Sequence, residues 1–445
     1  MKNPVKNLFL TTRFYLTVTG IIFLFLSGFV FPVLFSAAKG LLFIALLILL
    51  LDIVILFANQ RGISITRNTS ERFSLGDPNN ISISIENFFP FDIHTTVIDE
   101  IPIQFQVRDF RKEVTVAAGK ITRFVYDLIP QERGEYFFGH VHVFVRSSII
   151  GFAERRITGE SGRKIAVYPS FLQMKKFEII AFSNQLKEYG IKRQRKIGHT
   201  FEFEQIREYV KGDDYRTINW KATARKQDLM VNQFQDEKSQ QIYCILDMGR
   251  TMKKPYNGIS LLDYSINATL VISNIILKKQ DKSGVITFSN SSVSVLPAEK
   301  KSGQLSHILE LLYHQKTNFL ESNFENLFQT VRRKVKQRSL LFLFTNFESV
   351  TSLKRHLSYF RKLAAQHLLI VVFFENFEVR ELVGKPAHIV SQIYRKTIAE
   401  NFILNKKQIV RELEIHGIST ILTTPDQLTV HTINKYLELK SRGLV

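Results

Sequence analysis

The stretch "QIYCILDMGRTM", Gln241 to Met252, decides how the second half of this 445-residue chain folds. An apolar run from Ile242 to Leu246 ends in the acid Asp247, with Gly249 and Thr251 just beyond. A strand that is apolar on both faces must be covered on both, as central strands of mainly parallel sheets are. More such runs follow: "SLLFLFTNF" (Ser339 to Phe347), "LLIVVFF" (Leu368 to Phe374) and "STILTT" (Ser419 to Thr424), with "GVITFS" and "SVSVLP" between. Helical periodicity separates them, first over about Ser260 to Lys279 and again from about Gln304. Strands alternating with helices predict an α/β region over residues 238–445. Ligands in such sheets sit beyond the carboxyl ends of the strands. That rule points to Asp247, Gly249 and Thr251 after the first strand, and to Thr345, Asn346 and Glu348 after the next central one.

Upstream, residues 170–237 form a strongly charged segment. Its most basic piece, "IKRQRK" (Ile191 to Lys196), reads as an exposed loop, without the interleaved aromatics of a single-strand nucleic-acid platform. Its densest piece is "GDDYRTINWKATAR", Gly212 to Arg225, which contains the only tryptophan of the chain. Before that, over 60–169, the pattern has period two. "ISISIEN" (Ile81 to Asn87) and "HVHVFV" (His140 to Val145) alternate, and turn signals such as "GDPNN" and "ERGE" separate the runs. This predicts an antiparallel β-sandwich, with a small β-barrel as the alternative. His140 and His142 share one strand face, a conceivable metal pair that is far more often two surface histidines.

The N-terminal part is of another kind. Phe14 to Phe57 contains only two charges, Lys39 and Asp52. A helix of about 20 residues crosses a bilayer core, so residues 14–57 suffice for a two-helix transmembrane hairpin, broken at Pro32 and "SAAKG" (Ser36 to Gly40). Lys2, Lys6 and Arg13 flank one end and Arg61 and Arg67 the other, with Lys39 in the turn. The positive-inside rule then predicts a cytoplasmic tail over 1–13, an outer turn, and the bulk of the chain in the cytoplasm. A cleaved signal peptide ending near "SAA" is the alternative. Asp52, near the inner helix end, reads as a hydrated or helix-paired acid rather than an ion path.

Lys and Arg number 60 against 40 acids, a net charge of +20, which suggests anionic lipid, nucleic acid or an acidic partner. The basic run "RRKVKQR" (Arg332 to Arg338) lies on a helix with apolar spacing, and proximity to cytoplasmic lipid explains the charge without nucleic acid. The single cysteine, Cys244, excludes disulfide frameworks and cysteine-based zinc sites. No phosphate-binding loop, "HExxH" or "GxSxG" occurs, so no enzymatic activity and no cofactor are expected.

Two resemblances add to this reading. The acid-x-hydroxyl spacing after the first strand resembles the metal-ion site of von Willebrand factor A-like, Rossmann-like domains, whose first loop has the form Asp-x-Ser-x-Ser. Here Gly249 replaces the first serine, Asn346 stands near the later aspartate, and the middle threonine has no clear counterpart. The resemblance therefore implies at most weak Mg²⁺ binding through Asp247 and Thr251; alternatively, Asp247 caps the loop that follows it. The stretch from Phe201 to Met252 resembles the signature of the bacterial domain-of-unknown-function-58 family, matched at Arg207, Glu208, Tyr209, Gly212, Asp213, Asp214, Arg216, Trp220, Ala224 and Arg225. That resemblance implies a membrane hairpin, a β-sandwich and a von Willebrand A-like domain in one chain, encoded near MoxR-type AAA+ ATPases. The expected function is a membrane-anchored scaffold or adaptor that offers its von Willebrand A-like domain to a protein partner, for which the resemblance implies a MoxR-type ATPase; a nucleic-acid or anionic-lipid binder driven by the basic surface, and an enzyme with an unrecognised site, are the alternatives.

The signature residues also have a local reading. Gly212 permits a sharp turn. Asp213 or Asp214 caps a helix beginning near Tyr215, which would set Arg216 and Trp220 four apart and able to stack. Arg207 and Arg225 suit two-pronged carboxylate pairs. Two roles are open: an internal staple held by Trp220, or a docking face for a partner. The expectation is that Trp220 is mainly structural and that charges around Asp213 and Arg225 dock.

Overall fold

The computed structural model describes residues 4–59, 61–159, 162–182, 202–235, 239–375, 377–384, 386 and 389–444. The chain divides into two compact units, Met1–Tyr168 and Pro169–Val445. The run "IKRQRK" lies outside the described residues.

The first unit has a 3₁₀ turn (Pro4–Asn7) and a short strand, β1 (Leu8–Leu10), inside the segment expected to be a tail. Two apolar helices follow, α1 (Thr12–Gly28) and α2 (Pro32–Ala58). Thr11 caps α1 by accepting the Phe14 N–H at 3.4 Å. The break between the helices is shorter than the sequence suggested. It spans only Phe29 to Phe31, and "SAAKG" lies within α2. Pro32 opens α2 because its fixed φ suits the first helical position and its missing N–H would have no partner there. Alanine and lysine then continue the helix. Lys39 is thus on α2, its ammonium 4.7 Å from the Phe35 ring centroid. α2 has 27 residues and a mean hydropathy of 3.2, long and apolar enough to cross a membrane; α1, with 17, is shorter.

Ten further strands complete this unit: β2 (Ile63–Thr69), β3 (Arg72–Ser74), β4 (Asn79–Asn87), β5 (Ile93–Asp99), β6 (Arg111–Val116), β7 (Ile121–Leu128), β8 (Gly134–Phe138), β9 (Val141–Ser147), β10 (Ala153–Gly159) and β11 (Arg163–Tyr168). They form sheets ordered β1-β10-β9-β5-β6, β2-β4-β7 and β3-β11-β8, antiparallel except where β3 pairs with β11. Alternation sends Ile83 and Ile85 of β4 and Val143 and Val145 of β9 into one core, which the Leu56 side chain of α2 also enters.

The second unit starts with α3 (Phe171–Phe182), β12 (Glu202–Glu208), α4 (Trp220–Lys226) and β13 (Met230–Gln235). The α/β region follows: β14 (Gln241–Asp247), a ribbon of β15 (Pro255–Tyr256) and β16 (Ile259–Ser260), α5 (Leu261–Lys278), β17 (Lys282–Phe288), β18 (Val293–Glu299), α6 (Gln304–Tyr313), α7 (Phe324–Lys334), β19 (Leu340–Phe344), α8 (Val350–Gln366), β20 (Leu368–Phe374), α9 (Phe377–Gly384), α10 (Val390–Ile415), β21 (Ser419–Thr423) and α11 (Leu428–Ser441). The main sheet has the order β18-β17-β14-β19-β20-β21, with β18 antiparallel at one edge and the other five strands parallel. One core joins Cys244, Leu246 and Phe342 to α5 and α11; the opposite core joins Ile245, Leu343 and Val371 to α7, α8 and α10. The sheet is covered on both faces, as its apolar strands require. β14 is flanked by β17 and β19, so the chain reverses its direction of sheet growth there. In open α/β sheets a crevice forms at such a switch point, here beyond the ends of β14 and β19.

Candidate functional site at the strand ends and the signature ribbon

Asp247 ends β14 and is 1% exposed. Its Oδ1 accepts the Gly249 N–H at 2.8 Å and the Ser322 hydroxyl; its Oδ2 accepts the Thr345 hydroxyl at 2.6 Å. Ser322 comes from the loop before α7, whose cap is Asn323. A Cβ on residue 249 would collide with the Ser322 hydroxyl. Glycine at 249 thus makes room for a hydroxyl from a distant segment. Burial raises the carboxyl pKa of Asp247, against the opposing pull of these three hydrogen bonds.

Thr251 does not join this carboxylate. It is half-buried, and its carbonyl accepts a long bond, 3.5 Å, from the Asn346 side-chain amide. The other end of that amide is held by Lys406 of α10, whose ammonium donates to Asn346 Oδ1 and to the Phe347 carbonyl, both at 2.6 Å. Burial, and then the neighbouring Lys254, push the Lys406 pKa down to about 8. The crevice thus has a cation of its own, carried on a side chain. Asp247, Ser322 and Thr345 gather one carboxylate and two hydroxyls, oxygen donors of the class that hard cations take, and here they hydrogen-bond one another. Among the described residues, no group of three or more His, Cys, Asp or Glu side chains gathers around a metal position. Cys244 is fully buried and its thiol is pushed up to about 12, the state of an inert core residue. His142, in the first unit, is engaged by Glu100 at 2.9 Å and Thr158 at 3.1 Å.

The signature residues lie on a ribbon in which β12 pairs antiparallel with β13, with Glu208 opposite Met230. Gly212 has φ +118°, a conformation glycine adopts without strain, which turns the chain back. Asp213 receives both guanidinium nitrogens of Arg207, at 2.8 and 2.6 Å, and the Val210 N–H at 2.9 Å. The Arg207 bonds hold its carboxyl below the ordinary range. Asp214 caps a single turn, Tyr215 to Thr217, by accepting the Arg216 N–H at 3.0 Å.

The expected helix from Tyr215 is not formed. Ile218 makes a strand-like bridge to Val231, and the helix starts only after Asn219. Asn219 is the functional cap that the reading by motif missed: its Oδ1 accepts the Ala222 N–H at 3.0 Å and its amide donates to Asn232 at 2.8 Å. Asparagine directly before a helix-forming run was a legible signal. Arg216 and Trp220 therefore share no helix, and the Arg216 guanidinium lies 5.7 Å from the Tyr215 ring. Trp220 is 69% exposed among the described residues, as is Tyr215, with Val210 at 61%. It is not a packed staple. Arg225 is exposed in the last turn of α4, where a cation complements the carbonyl end of the helix.

Residues 205–385 match the family model described as Protein of unknown function DUF58, a span that holds both the ribbon and the strand-end crevice. The chain is 22% identical over 253 residues to the Uncharacterized protein YeaD of Bacillus subtilis (strain 168), an alignment over 53% of this chain and 58% of that protein. The chain thus spans a little over half the length of that curated relative. Among solved structures, it is similar to a CARDB domain from Pyrococcus furiosus (10% identity, 24% of this chain and 86% of that one, TM-score 0.18) and to proximal thread matrix protein 1 from the mussel byssus (13% identity, 46% and 48%, TM-score 0.27). Likeness at that level carries no argument about this fold. The match over 205–385 and the alignment with YeaD together support the DUF58 family.

Proposed function

We propose that this chain is a non-enzymatic scaffold, anchored in the bacterial cytoplasmic membrane by α1 and α2 as a hairpin, that docks a protein partner in the cytoplasm through its signature ribbon. The observation that carries this reading is the exposure of Trp220 beside Tyr215 and Val210, on a frame fixed by the Arg207–Asp213 pair and the Asn219 cap. Tryptophan, tyrosine and arginine dominate interface hot spots, and a rigid frame lowers the entropic cost of presenting them. A von Willebrand A-like character for the α/β region is supported by the strand order and by Asp247 and Thr345 at the strand ends. A MoxR-type AAA+ ATPase is the partner implied by the family resemblance. The hairpin is supported by the three-residue connection and by the length of α2.

A photo-crosslinking residue at Tyr215 of the full chain, in its own membrane, is expected to capture a MoxR-type ATPase, with capture lost on Trp220→Ala. Adducts that never contain such an ATPase would remove that partner. Cysteine at Val30, in the connection, should react with an impermeant reagent from outside, while cysteine at Gly443 should be shielded; labelling at Gly443 reverses the topology.

A further inference from the structure

Asp52 is fully buried within the first unit although it belongs to the apolar helix α2. Its Oδ2 accepts the backbone N–H groups of Phe152 and Ala153, at 2.7 and 2.8 Å. Two residues later, Arg155 Nη1 donates to the carbonyls of Leu56 and Asn59, both at 2.8 Å. From Ala153 to Arg155, β10 therefore advances alongside α2 in the direction from Asp52 toward Asn59. The turn that precedes β10, residues 148–152, must lie on the opposite side of Asp52, toward the apolar body of α2.

The start of α1 fixes the same turn from a second direction. The Thr11 hydroxyl donates to the Gly151 carbonyl at 2.8 Å, and the Thr11 N–H donates to the Phe152 carbonyl at 3.0 Å. The Phe14 and Phe152 rings meet edge-on at 5.7 Å. The turn is therefore level with the first turn of α1 and with Asp52 of α2. Counted from Pro32, the roughly 20 residues that span a bilayer core end at Leu51, next to Asp52. The turn thus reaches the depth at which hydrocarbon gives way to headgroups. Its tip carries Ile149, 68% exposed; on the helices, Leu16, two residues past Phe14, and Leu50, two residues before Asp52, are 68% and 60% exposed. Arg13, two residues after Thr11, is exposed, as a cation at an anionic headgroup layer would be.

A single exposed isoleucine is ordinary on a soluble surface. Here its depth is set by six hydrogen bonds that tie the turn and the start of β10 to α2 and to the caps of the two apolar helices. We propose that the turn from Ser148 to Phe152 is a lipid-contacting wedge, with Ile149 inserted at the headgroup–acyl boundary of the phospholipid bilayer. It rests on the reading of α1 and α2 as a membrane anchor. Asp52 and Arg155 then set the insertion depth, so that the β-sheet unit stands on the membrane in one fixed attitude.

The test uses the full chain with Trp220→Phe, which removes the native tryptophan, reconstituted in phosphatidylcholine–phosphatidylglycerol vesicles. Ile149→Trp should lose most of its emission to acyl-brominated lipid and be shielded from acrylamide. Leu46→Trp, within α2, is the reference for the anchor. If Leu46→Trp is quenched by bromine while Ile149→Trp is quenched only by acrylamide, the wedge is wrong and the anchor stands. If Leu46→Trp is not quenched by bromine, the anchor reading fails and the wedge with it. An Ile149→Trp probe shielded from both quenchers is covered by protein, which also overturns the proposal. Should that variant misfold, Ile149→Cys carrying an environment-sensitive fluorophore gives the same readout by a blue shift.

Discussion

The strand-end crevice and the signature ribbon of the second unit each hold a polar network, and they use it in opposite directions. In the crevice Asp247 turns inward to Gly249, Ser322 and Thr345, and Lys406 to Asn346 and Phe347. On the ribbon the hydrogen bonds run along the backbone frame, and the aromatic side chains of Tyr215 and Trp220 point out. By residue type the strand ends offered a weak metal site or a capped loop, and the tryptophan a staple or a docking residue. Burial separates the two: Asp247 is enclosed and Trp220 is exposed. A carboxylate out of water needs all its acceptors filled, and once filled it holds the fold together. A tryptophan left in water contributes little to the fold and remains free to bind.

The sharpest way to break this contrast is Asp247→Ala. The substitution leaves the Ser322 and Thr345 hydroxyls and the Gly249 N–H without their acceptor. Each buried group left unsatisfied costs about 1–3 kcal/mol, so a loss of roughly 3–5 kcal/mol is expected, seen as a large drop in melting temperature of the detergent-solubilised chain. Asp247→Asn keeps one acceptor oxygen and should fall between. A variant that melts within a degree or two of the parent would mean that the crevice is not a structural knot. Isothermal calorimetry with Mg²⁺ on the parent chain sharpens the same point, with no tight binding expected from a carboxylate already engaged.

What the sequence showed and hid follows from the range of each interaction. The central strands β14, β19 and β20 were legible because their burial on both faces makes every residue apolar. β4 and β9 were legible because burial on one face imposes alternation. Ser36 to Gly40 has the composition of a loop and so hides the start of α2, which begins at Pro32. Ser322 and Lys406 gave no local signal at all. Ser322 is 75 residues from Asp247, and Lys406 is 60 from Asn346. In sequence Lys406 is simply a lysine on a helix whose Ile409 and Leu413 face the core. The Asn219 cap is legible as an asparagine directly before a helix-forming run, although two acids nearby compete for the same role.

A smaller effect, and one that depends on pH, is expected from Lys406. Its folded pKa of about 8 lies below the ordinary 10.5. Between those values the unfolded chain binds more protons than the folded one, so stability rises with pH across the window. Below pH 8 both states are charged, and the cost of desolvating the ammonium is fully present. Melting temperatures of the parent and of Lys406→Met, measured from pH 7 to 10, should therefore diverge. The parent gains stability relative to the variant above pH 8, while other titrating groups cancel in the difference. Parallel curves would show that the ammonium is solvated and that the crevice is open to water.

The smallest change in stability, and the most informative result, is expected at Trp220. Substitutions of surface residues away from caps and cores usually change stability by within about 0.5 kcal/mol. Trp220 is at the first position of α4, and its side chain is two-thirds exposed, so the helix should form without it. The Asn219 cap donates and accepts through its own amide and is indifferent to the indole. Trp220→Ala should therefore melt like the parent, whereas Asn219→Ala should lose about 1 kcal/mol with its cap. Capture of the ATPase by the crosslinker at Tyr215 should show the reverse order, falling more for Trp220→Ala than for Asn219→Ala. If Trp220→Ala instead unfolds several degrees early, the indole is packed after all. The ribbon would then be a second structural knot, and the contrast between the two sites would be gone.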